Sequence, residues 1–234
     1  MKEELIVEII CEKEVGTAFY VAPDRLLTAY HTVASFRTTG KNIVKDSREG
    51  DLGFEIDDFY VDLAVLKVKG RKSSDYLPLL NHRIRIGEEL ISFGYPDTTK
   101  TDDLRIKGRI TQRLTETTGD FKLRTEDVDD SFDYQGMSGA PVILADDAVG
   151  VVIEQDGGSL NIVSASKLVG QLKDKTITVE KESNPVDLPE SIAKNVEAAH
   201  PNYSVINALD YSLAKSHNNW ALLYGTPGCG KTTL

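Results

Sequence analysis

Residues 16–30 read Gly-Thr-Ala-Phe-Tyr-Val-Ala-Pro-Asp-Arg-Leu-Leu-Thr-Ala-Tyr. Two apolar runs, 16–22 and 26–30, are separated by Pro23-Asp24, a pair that ends one strand and turns the chain. The same rhythm continues outward from this stretch. VDLAVLKV (61–68), ELISFGY (89–95), GAPVIL (139–144) and VGVVI (149–153) are each bounded by turn residues such as Gly70, Gly94 through Pro96, Gly119-Asp120 and Asp156 through Gly158. From Leu5 to about Leu172 the chain therefore carries an all-β signature, a barrel or a sandwich.

The text changes after Lys173. KDKTITVEKESNPVDLP (173–189) is polar and holds two prolines. SIAKNVEAA (191–199) and YSVINALDYSLAKS (203–216) then space apolar residues by three and four, which predicts two short helices. The run Trp220 to Tyr224 suits a strand buried on both faces of a parallel sheet. Three regions result: a β domain over 1–178, a linker with short helices over 179–218, and the start of an α/β domain over 219–234. No repeat of fixed period is present, so a solenoid is unsupported.

Composition narrows the function classes. The 27 Lys+Arg against 37 Asp+Glu leave a net charge of −10, with −9 of it on residues 1–182. That is the wrong sign for binding a phosphate backbone, so nucleic acid is not an expected partner. Two cysteines, Cys11 and Cys229, are too few for a disulfide framework or a cysteine-built zinc site. The first apolar run, Leu5 to Ile10, is short and interrupted by Glu8, so it reads as a strand and not as a secretion signal. No stretch is long enough to span a bilayer. A cytoplasmic protein without membrane association is the expectation.

Three polar residues stand out. His31 follows the strand LLTAY, where a barrel rim would hold its ring; taken alone it also fits a partly exposed structural histidine. Asp62 heads the apolar strand DLAVLKV, where a carboxylate needs hydrogen-bond donors, although a turn or cap would also use it. Ser138 lies in YQGMSGAP (134–141), whose glycines allow a tight turn that brings two backbone N–H groups toward a bound carbonyl oxygen. Together they supply, in chain order, a base, its orienting acid and a nucleophile for acyl transfer. An esterase elbow fits less well, because residue 140 is Ala and the only histidines after Ser138 are His200 and His217, in the helical tail.

On GTAFYV and LLTAYHTV around His31, DLAVLKV at Asp62 and GMSGAPVI at Ser138, the chain resembles the trypsin-like serine proteases. The spacings, 31 residues from His31 to Asp62 and 76 from there to Ser138, are closer to the compact bacterial HtrA-type domain. The resemblance covers about residues 5–175 and implies two six-stranded antiparallel β-barrels. It further implies that Ser138 is the nucleophile, that His31 is the general base and then acid, and that Asp62 holds the imidazole. Gly136 and Ser138 would form the oxyanion hole with their N–H groups, each donor being worth about 3 kcal/mol of barrier. Val151 to Gln155 would be the edge strand that pairs with an extended polypeptide substrate. No cofactor is implied for this activity, and no metal.

Two departures qualify the resemblance. Many members carry Asp immediately before the serine, where it pairs with a freshly cut N-terminus; here Met137 stands there and no activation sequence precedes residue 16. The position at the floor of the primary pocket is Phe132, with the acids Asp133, Glu154 and Asp156 nearby, so the preferred side chain stays open. The acids between Asp120 and Asp133 lack the alternation of a calcium loop and read as a solvated loop.

The chain's last motif is Gly225-Thr226-Pro227-Gly228-Cys229-Gly230-Lys231-Thr232, which fits Gly-x-x-x-x-Gly-Lys-[Ser/Thr] directly after an apolar strand. In such a loop Gly225, Gly228 and Gly230 let backbone N–H groups cradle phosphates, Lys231 reaches the terminal phosphates and the Thr232 hydroxyl ligates Mg²⁺. The sequence ends two residues later, so the expectation is an N-terminal part of a longer protein, with ATP and Mg²⁺ bound only by the complete NTPase. A protease followed by a P-loop resembles bacterial signal-transducing NTPases of the STAND and AAA-like type. That resemblance implies a nucleotide-regulated effector, oligomerisation through the NTPase and a role in antiviral defence. The alternatives are a silent barrel that binds peptides and a fragment whose main activity is nucleotide binding.

Overall fold

A computed structural model describes residues 3–38, 40–60, 62–96, 104–115, 119–125, 134–168, 177 and 179–181. Backbone packing divides the chain into Met1–Lys181 and Glu182–Leu234, and the described residues all belong to the first unit. The predicted helices, the Trp220–Tyr224 strand and the P-loop lie outside the described residues, as do Phe132 and Asp133.

A 3₁₀ turn, Glu3–Leu5, leads into the first barrel. Its strands are β1 (Ile6–Cys11), β2 (Glu14–Ala22), β3 (Arg25–Ala29), β4 (Asn42–Asp46), β5 (Gly50–Tyr60) and β6 (Leu63–Val68). They close in the order β1-β2-β3-β6-β5-β4, all antiparallel. The Pro23-Asp24 pair forms the β2–β3 turn, where Ala22 faces Arg25. One helical turn, α1 (Tyr30–Val33), follows β3 at the barrel rim.

The second unit of sheet comprises β7 (Leu79–Asn81), β8 (Glu89–Gly94), β9 (Leu104–Arg113), β10 (Phe121–Thr125), β11 (Pro141–Leu144), β12 (Asp147–Asp156) and β13 (Ser159–Ser164). After the helical turn α2 (Ala165–Leu168) comes β14 (Val179–Lys181). Six of these strands run β11-β8-β9-β10-β13-β12, and the β11–β12 pairing closes the ring. The architecture is mostly β, two six-stranded antiparallel barrels with few helices. Two short strands add to it: β7 pairs in parallel with β12 and β14 in parallel with β7.

The apolar runs are continuous because both faces of the central strands are buried. In β2, Ala18 and Tyr20 face the core of the first barrel, whereas Phe19 and Val21 face a second cluster with Leu27, Val65, Val151 and Ile153. That second cluster contains residues from both barrels and joins them. Side chains of this size contribute about 1.5–3 kcal/mol each on full burial. A third cluster, including Leu123, Met137, Val142, Val152 and Ile162, fills the second barrel. A cleft lined by residues of both barrels opens between them.

Candidate active site

His31 sits in the helical turn after β3 and Asp62 just before β6; β3 and β6 are paired, with Ala29 opposite Leu63. The carboxylate is used twice. Asp62 Oδ1 accepts the backbone N–H of His31 at 3.0 Å and Oδ2 lies 2.7 Å from His31 Nδ1. The Tyr30 N–H donates to the Asp62 carbonyl at 2.9 Å, fixing the two segments further. The hydrogen bond to Asp62 raises the His31 pKa above its ordinary value; burial works against this, and the charges of Asp62, Glu154 and Glu14 add to it. With its side chain 49% exposed, the ring remains open to solvent on one side.

Ser138 comes from the second barrel, in the turn before β11. Met137 N–H donates to the Tyr134 carbonyl and Ala140 N–H to the Met137 carbonyl, both at 2.9 Å, while Gly139 N–H donates to Val152 at 2.8 Å. Among the described residues, the N–H groups of Gly136 and Ser138 have no acceptor. Gly136 has φ +96°, a conformation that glycine adopts without the penalty a Cβ would bring. Of the turn's donors, the Met137 and Ala140 N–H groups thus bond within it, and that of Gly139 bonds to β12.

Thr17 anchors this turn to the first barrel. Its N–H donates to the Ser138 carbonyl at 3.0 Å, its Oγ1 donates to the Gly136 carbonyl at 2.8 Å, and the Tyr95 N–H donates to that Oγ1 at 2.9 Å. Met137, immediately before Ser138, is fully buried in the second barrel. Sequence reasoning missed Thr17; its only signal was a hydroxyl placed inside an apolar strand.

A cleft of about 320 Å³ is lined by His31, Asp62, Ser138, Ile153, Glu154 and Gln155. The structure brings the three singled-out residues together there, on elements from both barrels. Ser138 Oγ donates to the Ile153 carbonyl at 3.0 Å, and among the described residues no hydrogen bond joins it to His31. Ile153 lies in the segment Val151 to Gln155 read from the sequence as an edge strand; its bond from Ser138 was not foreseen, because a backbone oxygen leaves no mark in the residue pattern. Asp120 accepts from the Ser164 N–H at 2.7 Å and from the Ser164 hydroxyl, a structural role. No group of three or more His, Cys, Asp or Glu suited to a metal occurs among the described residues. None of their helices is long and apolar enough to cross a membrane.

The trypsin-like peptidase domain family matches residues 16–151. No curated protein matches the sequence. Among solved structures, the active form of the Rv3671c protease from M. tuberculosis is 24% identical, with a TM-score of 0.62 over 76% of this chain and 83% of that one. Its inactive form is 24% identical, with a TM-score of 0.57 over 73% of this chain and 88% of the other. The serine endoprotease from Yersinia pestis is 17% identical, with a TM-score of 0.56 over 75% of this chain and 63% of that chain. At such identities the likeness is one of fold.

Proposed function

The chain belongs to the trypsin-like peptidase domain family, and we propose on that footing that it is a serine endopeptidase acting through His31, Asp62 and Ser138. The observation that carries this reading is that the three residues, from two different barrels, line one cleft. In the reaction, the Ser138 hydroxyl turns from the Ile153 carbonyl toward His31, giving up a hydrogen bond worth about 1 kcal/mol. Hydrogen bonds of this kind often tighten only when substrate is bound. A substrate N–H that claims the Ile153 carbonyl would favour the turn.

Ser138 Oγ then forms a bond to the scissile carbonyl carbon as its proton passes to His31 Nε2. The negative oxygen is held by the Gly136 and Ser138 N–H groups. His31 returns the proton to the leaving amine as the C–N bond breaks, and water, deprotonated by the same imidazole, releases the acyl group. Asp62 keeps Nδ1 protonated and stabilises the imidazolium throughout.

The test is intact-mass analysis after treatment with a fluorophosphonate, comparing the chain with Ser138→Ala and His31→Ala. A single adduct that requires both residues supports the peptidase. Absence of any adduct favours the alternative of a peptide-binding barrel, for which the bond from Ser138 to Ile153 speaks.

A regulatory reading goes with it. The motif Gly225 to Thr232 supports a cytoplasmic effector whose peptidase activity is governed by a P-loop module, in which Gly225, Gly228, Gly230, Lys231 and Thr232 would hold ATP and Mg²⁺. Peptidase activity of the nucleotide-binding protein should then change with ATP and lose that response in Lys231→Ala. Equal rates with and without ATP would sink this part.

A further inference from the structure

The residues following Ile153 on β12 differ in how their side chains are engaged. Gln155 turns inward, its Oε1 accepting the Tyr134 N–H at 2.7 Å. Lys122 is already engaged by Asp156. Glu154 is exposed in the cleft wall and, among the described residues, its carboxylate has neither a hydrogen bond nor an ion pair. The β12–β13 register shifts between Val152 and Glu154, where the buried run of β12 ends and the strand side facing the cleft becomes polar.

The charge at this position acts on the reacting centre. Glu154 is among the groups whose negative charge favours protonated His31, and Glu14 adds a smaller contribution of the same sign. A chain with a net charge of −10 reinforces that field. The cleft therefore presents a carboxylate that no cation of the described residues neutralises, beside the site where an extended peptide would lie.

We propose that Glu154 is a specificity-determining residue that favours peptides carrying a Lys or Arg side chain next to the bond being cut. This rests on the reading of the cleft as a peptide site. An exposed ion pair is weak, so the preference is about fivefold over an uncharged side chain of similar size. It shrinks as salt rises, because the pair is open to solvent. Guanidinium and ammonium both satisfy the carboxylate, the former with two parallel N–H donors.

The experiment uses acetylated and amidated fluorescent peptides that differ only in Arg against citrulline beside a common cleavable bond. Hydrolysis is followed with the unmodified chain and with Glu154→Gln; binding is followed in the Ser138→Ala background with and without Glu154→Gln. A preference of about fivefold for Arg that collapses in Glu154→Gln supports the proposal. Glu154→Lys should turn the preference toward a peptide with Glu at the same position. Equal handling of Arg and citrulline, or a preference that survives Glu154→Gln, overturns it. Arg-selective binding that depends on Glu154 but is never followed by cleavage overturns the peptidase reading and leaves the role of Glu154 standing. Neither binding nor cleavage overturns both.

Discussion

Thr17 holds the turn that carries Ser138 in place through Gly136: its Oγ1 donates to the Gly136 carbonyl at 2.8 Å from a position 119 residues earlier in the chain. The same oxygen accepts the Tyr95 N–H, and Thr17 itself is fully buried. Thr17→Val keeps the shape and deletes both bonds. The Gly136 carbonyl and the Tyr95 N–H then lose their partner, at a cost of about 1–3 kcal/mol for each buried group that stays unpaired. Denaturant unfolding should show a loss in that range, and fluorophosphonate labelling of Ser138 should slow at least about tenfold as the Gly136 peptide loosens. Thr17→Ser should retain most of both. Unchanged labelling in a destabilised Thr17→Val would confine Thr17 to a structural role.

The raised His31 pKa sets a direction for pH dependence. Catalysis needs the neutral imidazole, so kcat/KM should rise with pH through a midpoint above about 6.5, the ordinary histidine value. Glu154→Gln and Glu14→Gln should each move that midpoint downward, Glu154→Gln by more. Stability follows the opposite sign: a folded pKa above the unfolded one means that the charged His31 pair stabilises fully below about pH 6.5 and that this contribution fades as pH rises through the folded value. A midpoint at or below the ordinary value would contradict the geometry of the pair.

Asp62→Asn tests the pair from the other side. An amide can still meet the His31 backbone N–H with its oxygen, so the local fold should persist. Its nitrogen, turned to Nδ1, donates where an acceptor is needed and selects the wrong tautomer. The predicted loss in kcat is about three to four orders of magnitude, with a small change in KM and a melting temperature close to that of the unmodified chain. A loss of less than about tenfold would remove Asp62 from the proposed triad.

Sequence made the barrel strands readable where two conditions met: an apolar run and a turn residue with its own conformational reason, as at Pro23-Asp24 between β2 and β3. The β1–β2 and β11–β12 hairpins turn instead through Glu12 and Ala145, each at φ 57°, residues that announce no turn. The three-residue strands β7 and β14 are too short for any period to show, and their parallel pairing depends on distant partners. In the site, His31, Asp62 and Ser138, which line one cleft, were legible because the proposed chemistry would reside in their side chains. Thr17 was not, since it acts by a hydroxyl common in strands, and the bond from Ser138 to Ile153, within the edge strand read over 151–155, was not, since it uses a backbone carbonyl. The positive φ of Gly136 agrees with the glycine-rich turn read from its neighbours.

Gly139 offers the sharpest test of how closely the two barrels must approach beside Ser138. It has φ +90°, and a Cβ there would lie 2.0 Å from the Thr17 carbonyl oxygen and 2.3 Å from Thr28 Oγ1. Both neighbours are tied down, since Thr28 Oγ1 donates to that same Thr17 carbonyl at 2.7 Å. Gly157 is the control: its φ is +57° and no atom lies within 4 Å of the added Cβ. Gly157→Ala should cost about 1–2 kcal/mol, the penalty of a left-handed backbone alone. Gly139→Ala carries a backbone penalty of similar order and in addition forces the turn away from β2, so its loss should exceed that of the control by at least about 2 kcal/mol in denaturant unfolding. Because the displaced segment includes Ser138, labelling should disappear in Gly139→Ala and persist in Gly157→Ala. Equal unfolding midpoints for the two variants would mean that the conformation, and not the close approach to Thr17, is what requires glycine at position 139.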